Sequence, residues 1–162
     1  MDRQFDRRAL LGTVGFGGLA WLVLRPAPTE ARAQFAVTRS PAEWRRTLGP
    51  ERFAILREAG TERPYSSPLN KEHRRGTFTC AGCALPLFSS AAKFESGTGW
   101  PSFFRAMPKA VATKSDRTML MERTEVLCRR CGGHLGHLFE DGPRPTGLRY
   151  CMNGLALKFR AA

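Results

Sequence analysis

The run EVLCRRCGGHLGHLFEDGP, residues 125–143, carries three signals in close succession. A short β-type stretch leads into Cys128-Arg-Arg-Cys131, two glycines follow, and two histidines and an aspartate come before a Gly-Pro stop. A CxxC pair folds into a tight knuckle that aims two thiolates at one point, and Gly132 after the second cysteine permits the turn. A second knuckle, Cys80-Ala-Gly-Cys83, lies upstream across 44 intervening residues. Together Cys80, Cys83, Cys128 and Cys131 make the closed four-thiolate set of structural zinc, one ion per chain, clamping two distant segments. Such a site contributes on the order of 10 kcal/mol to a small fold. Two disulfides would be the other natural use of these cysteines in an exported protein. A redox CxxC is a third use, but it usually opens a helix in a βαβ setting, which this chain lacks. The pattern points to a metal and leaves the function open, because a zinc ribbon that binds nucleic acid would show it too.

Working outward, Gly76–Cys80, 122–127 and 148–159 are short, β-branched or alternating, and bounded by Gly and Pro. Upstream, Ser40-Pro41-Ala-Glu43-Trp44 reads as a capped helix start, with Pro41 at the first helical position and Glu43 completing a capping box. Gly49-Pro50 breaks that helix, and Glu51–Ala59 reads as a second one closed by Gly60. Two small helices followed by an antiparallel β domain is the expected architecture.

The first 33 residues read as an export signal rather than domain. Arg7-Arg8 precedes an apolar run from Thr13 to Leu24, and Ala31-Arg32-Ala33 offers a signal-peptidase site. A retained membrane anchor is the alternative, but Gly15, Gly17 and Gly18 interrupt the run, which is shorter than a spanning helix requires. Cleavage leaves residues 34–162 as one domain without stable membrane insertion, exported by the twin-arginine route to the periplasm. That compartment is oxidising, so a lone thiol there needs a supplied reductant. The full chain carries a formal charge of +12. Its basic residues are scattered, with Arg74-Arg75 and Arg129-Arg130 the densest pairs, which fits solubility and anionic surroundings better than nucleic-acid binding.

The fifth cysteine, Cys151 in RYCMNGLALKF (149–159), has no partner at CxxC spacing. If this run is a strand, period two puts Arg149, Cys151 and Asn153 on one face. A guanidinium beside a thiol favours the nucleophilic thiolate. An inert buried cysteine is the alternative, although polar neighbours on the same face suit it poorly. His134 and His137 are two of the chain's three histidines. They read either as satisfied histidines or as general acids, with Asp141 orienting an imidazole. In SGTGWPSF (96–103), glycines around Trp100 present an indole on a loop, which binds something apolar or else packs in the core.

GTFTCAGCALPLFSSAAKFESGTGWPSF, EVLCRRCGGHLGHLFEDGP and TGLRYCMNGLALKF closely resemble the methionine-R-sulfoxide reductase B family, over about residues 44–159. The resemblance implies a mainly β fold of two antiparallel sheets with short N-terminal helices and a structural zinc. It implies reduction of the R epimer of methionine sulfoxide, free or in proteins, with an external thioredoxin-like thiol as reductant; a monomer is expected. By position, Cys151 matches the nucleophile, and Arg149, His134, His137, Asp141 and Asn153 match polar residues around the sulfoxide. Trp100, with Phe139, matches the substrate-receiving wall. One departure stands out: Thr98 occupies the loop position where many relatives carry a second, resolving cysteine. The competing readings are a basic zinc-ribbon binding module, which would not need Cys151, and a disulfide oxidoreductase working through the CxxC pairs.

Overall fold

A computed structural model of the chain describes residues 35–118 and 122–162. The twin-arginine segment and its cleavage site lie outside the described residues. Among the described residues, no helix is long and apolar enough to cross a membrane.

The N-terminal helix begins as its capping box dictates. Ser40 Oγ accepts the Glu43 N–H, and the Glu43 carboxylate takes the Ser40 N–H at 2.8 Å. Gly49 leaves the helical region (φ 73°, ψ 170°), but the backbone resumes helical geometry from Pro50 onward. The span α1 (Pro41–Glu58) is thus the expected pair of helices, broken at Gly49-Pro50 and joined across that kink. Its second half closes one residue earlier than expected, since Ala59 rather than Gly60 takes the left-handed cap position at φ 54°. Its inner face buries Trp44, Phe53, Ile55 and Leu56.

The rest is β structure in two antiparallel sheets. The smaller has the order β2 (Pro86–Ser89), β1 (Gly76–Cys80), β9 (Leu157–Ala161). The larger has the order β3 (Lys93–Phe94), β4 (Ser102–Phe103), β8 (Arg149–Met152), β7 (His134–Phe139), β6 (Arg123–Cys128), β5 (Val111–Asp116). Aromatic rings join the two: Phe88 of β2 stacks on Phe103 of β4 at 4.4 Å, and Phe78 of β1 meets Phe103 edge-on at 4.9 Å. All three rings are fully buried, which makes truncation of any one cost about 3–5 kcal/mol.

The run 149–159 is not one strand. It leaves the large sheet after Met152, turns through Gly154–Ala156, and enters the small sheet as β9. The carboxylate of Glu62 makes that turn possible by accepting the N–H groups of Gly154 at 2.6 Å and Leu155 at 2.9 Å. Asn153 therefore sits past the strand's end and does not share a strand face with Arg149 and Cys151.

Register across the large sheet does what local sequence spacing cannot. Ser102 pairs with Cys151, Cys151 with His137, His137 with Glu125, and Glu125 with Lys114. Directly paired residues project to the same face, so one polar row crosses five strands. Gly136 permits the close approach in its middle, because a Cβ there would run into the Cys151 carbonyl.

Candidate active site and metal centre

The two knuckles are built alike at the ends of β1 and β6. The Cys80 N–H donates to Leu85 O and the Ala84 N–H to Cys80 O, both at 2.8 Å. In the second knuckle the Cys128 N–H donates to Gly133 O at 2.9 Å and the Gly132 N–H to Cys128 O at 2.8 Å. All four sulfurs lie within 4.8 Å of one another, with Cys80–Cys131 at 3.7 Å and Cys83–Cys128 at 3.5 Å. A tetrahedral Zn–S₄ centre with bonds of about 2.3 Å has sulfur–sulfur edges of about 3.8 Å. The four thiols are free, and three of them are buried. This group can hold a metal, and its donor set, spacing and closure fit zinc.

The knuckles differ at one position. Gly132 takes φ 67° at no steric cost, whereas its counterpart Ala84 is held at φ 58°. Ala84 is exposed, so a glycine there forfeits little buried surface. Ala84→Gly is expected to stabilise the fold by about 0.5–1 kcal/mol. A thermal melt of the metal-loaded protein checks this, and an unchanged or lower midpoint would contradict it.

Cys151 is half-buried near the middle of the polar row. Its Sγ lies 3.7 Å from Thr98 Oγ1, and Thr98 continues a hydroxyl chain to Ser96 and Ser102 with steps of 2.8 Å. Two residues before it on β8, Arg149 is held in a fork by both oxygens of Asp141 at 2.8 Å. That pairing lowers the Asp141 pKa and raises that of Arg149, with the nearby Cys151 adding to the rise. The guanidinium also lies over the Phe139 ring at 4.2 Å. Phe139 therefore stacks on Arg149, and a permanent cation is fixed on the thiol's own strand face.

The imidazoles have other carboxylate partners than expected. His137 Nε2 is 2.8 Å from Asp116 Oδ2, and His134 Nδ1 is 2.7 Å from Glu125 Oε1. Asp141, whose side chain is 62% exposed, serves Arg149 and not an imidazole. Bonds from the Thr118 backbone and hydroxyl and from His137 hold the Asp116 carboxyl far below the usual range. Burial pulls the His137 pKa down, and the bond to Asp116 opposes it. Burial would raise the Glu125 pKa, but bonds from His134 and Lys114 keep it low. The two rings meet edge-on with centroids 5.5 Å apart, and His134 is 3% exposed. His134 Nε2 is buried and has no hydrogen-bond partner among the described residues.

Asn153 is a strut. Its Oδ1 accepts the Glu62 N–H at 3.0 Å, and its own N–H donates to Leu135 O at 2.8 Å, between the two histidines. The Glu62 carbonyl in turn accepts the Trp100 indole N–H at 3.1 Å. Trp100 is half-buried, so its ring is neither swallowed by the core nor free to rotate. Asp116, Glu125 and Glu62 went unread in the sequence. Asp116 stands 21 residues before His137 and Glu62 stands 91 before Asn153, so no local motif contains either pair. Glu125 alone left a trace, as an acid directly before the apolar Val126-Leu127 of its strand, where burial of a carboxylate calls for a partner.

A family model described as SelR domain matches residues 48–161. The chain is 53% identical over 129 residues to a peptide methionine sulfoxide reductase MsrB of Methanosarcina barkeri (strain Fusaro), covering 79% of this chain and 91% of that one. It is 55% identical over 123 residues to an MsrB of Bradyrhizobium diazoefficiens, covering 75% and 88%. It is 51% identical over 127 residues to an MsrB of Leptospira interrogans, covering 78% and 97%. A strand bearing a free cysteine outside the cluster, a four-cysteine group that can hold a metal, and these matches over nearly all of the described domain agree, and the chain belongs to the MsrB family of SelR-domain peptide methionine sulfoxide reductases.

Proposed function

We propose that this protein reduces the R epimer of methionine sulfoxide to methionine, free or within proteins, with Cys151 as nucleophile. The thiolate of Cys151 attacks the sulfoxide sulfur. Oxygen is transferred as the S–O bond of the substrate breaks, so that sulfoxide plus thiol become thioether plus Cys151 sulfenic acid. His137 supplies a proton to the departing oxygen, directly or through a water, while Asp116 orients its ring and His134 borders the same space. Arg149, fixed by Asp141, places a cation on the strand face that carries the Cys151 sulfur. Trp100 receives the S-methyl end through apolar and sulfur–aromatic contact.

The observation that carries the reading is the pairing of Cys151 with His137 across two strands, with Arg149 next on the same face. A basic zinc ribbon would have no use for that constellation. Zinc would be held by Cys80, Cys83, Cys128 and Cys131; it would supply rigidity and leave no open coordination position for chemistry. Export of the folded, metal-loaded domain to the periplasm by the twin-arginine route, and action there as a monomer, belong to the same reading.

The test is an assay on separated R and S diastereomers with dithiothreitol. The R form should be turned over and the S form ignored. Cys151→Ser should lose roughly a thousandfold or more in rate while keeping one zinc per chain. Turnover of the S form, or a fully active serine variant, would refute the proposal.

A further inference from the structure

Tyr65 is the exposed large apolar side chain among the described residues, at 70% of its free area. Its backbone is held at φ 63°, a conformation that costs a non-glycine residue about 1 kcal/mol or more and persists only where the surroundings impose it. Here they do. The Tyr65 N–H donates to Gly99 O at 2.7 Å, and its hydroxyl donates to Gly97 O at 2.6 Å. Those two carbonyls bracket Thr98, whose hydroxyl lies 3.7 Å from Cys151. Gly99 allows the close fit, since a Cβ there would stand 2.8 Å from Pro64 Cβ and 3.0 Å from the Tyr65 ring. Three residues earlier, the Glu62 carbonyl holds the indole of Trp100. One short strap, residues 62–65, thus fixes both the wall of the candidate methyl pocket and an aromatic lip beside it.

We propose that Tyr65 is a specificity residue that contacts the residues flanking an oxidised methionine in a polypeptide, and so favours substrates with apolar neighbours at those positions. This rests on the reductase reading above. An exposed ring pinned at both its amide and its hydroxyl offers contact area with almost no entropy left to lose on binding. Free methionine sulfoxide ends in an ammonium and a carboxylate close to the sulfur, which an aromatic face rewards little. A peptide continues with amides and, because methionine belongs to apolar stretches, with apolar neighbours.

The experiment compares wild type, Tyr65→Ala and Tyr65→Phe on three substrates with dithiothreitol. These are N-acetylmethionine sulfoxide, an octapeptide with one sulfoxide flanked by leucines, and the same octapeptide flanked by glycines. Tyr65→Ala should raise KM for the leucine-flanked peptide roughly fivefold with kcat unchanged, and leave N-acetylmethionine sulfoxide within about twofold. Tyr65→Phe, which keeps the ring and the Gly99 bond, should retain the wild-type preference for leucine over glycine flanks. Equal losses by Tyr65→Ala on all three substrates would reduce Tyr65 to a clamp for the Thr98 loop and overturn the proposal. So would no loss on any. Wild type inactive on every substrate would instead overturn the reductase reading.

Discussion

Cys80→Ser and Cys131→Ser are expected to yield protein that binds no zinc and does not hold the native fold. The reason lies in what the clamp joins. Cys80 ends β1 in the three-stranded sheet, and Cys128 ends β6 in the six-stranded one. The four sulfurs sit 51 and 45 residues apart in sequence across their closest contacts, so the metal would close long loops between separate layers. Net domain stability is about 5–15 kcal/mol, and a structural zinc contributes on the order of 10 kcal/mol at neutral pH. Removing one thiolate therefore threatens most of the margin, and it leaves three thiols crowded together without the charge that organised them. The measurement pairs metal content with thermal unfolding, before and after a strong chelator. Chelation should lower the midpoint steeply and reduce activity only in step with lost structure. A metal-free variant that stays folded and fully active would show the cluster to be dispensable.

How far the sequence reached follows from the range of each signal. The knuckles were legible because each is a four-residue motif, and the capping box of Ser40 and Glu43 because it spans four positions. Cys151 and Arg149 were legible because period two suffices for one strand. The errors came where geometry depends on other strands. Asp141 looked like the partner of an imidazole because it follows His137 closely, yet the next turn carries it back to Arg149 instead. Asp116 reaches His137 only through β6, a pairing no spacing rule contains. Asn153 was placed on a strand that had already ended, because nothing near residue 153 announces that a buried carboxylate at Glu62 will bend the chain into the other sheet. The roles of the residues in the chemistry were suggested by type and spacing, while their partners came from register.

The wild-type protein, given substrate but no reductant, is expected to release one methionine per chain and stop. Once the four clustered cysteines are set aside, Cys151 has no thiol partner within the chain. The loop residue that faces its sulfur is Thr98, at 3.7 Å, and a hydroxyl cannot condense with a sulfenic acid to a disulfide. The Thr98 hydroxyl, itself held by Ser96 and through it Ser102, can instead hydrogen-bond the new sulfenic oxygen and hold it for an external thiol. That thiol would attack the Cys151 sulfur, expel water as a mixed disulfide forms, and a second thiol would then release Cys151 reduced. Drawing on one of the clustered cysteines would dismantle a metal clamp at a cost of several kcal/mol, which disfavours that route. Mass spectrometry after a single turnover should find a sulfenic acid on Cys151 trappable by dimedone. Thr98→Cys places a second sulfur where the hydroxyl now stands, close enough for small loop movements to reach the bond length of a disulfide, about 2.05 Å. That variant should therefore emerge from the same turnover with a disulfide joining the introduced sulfur to Cys151, and with no dimedone adduct. A wild-type disulfide between Cys151 and any of Cys80, Cys83, Cys128 or Cys131 would reverse the argument, making the metal centre part of the redox cycle rather than its scaffold.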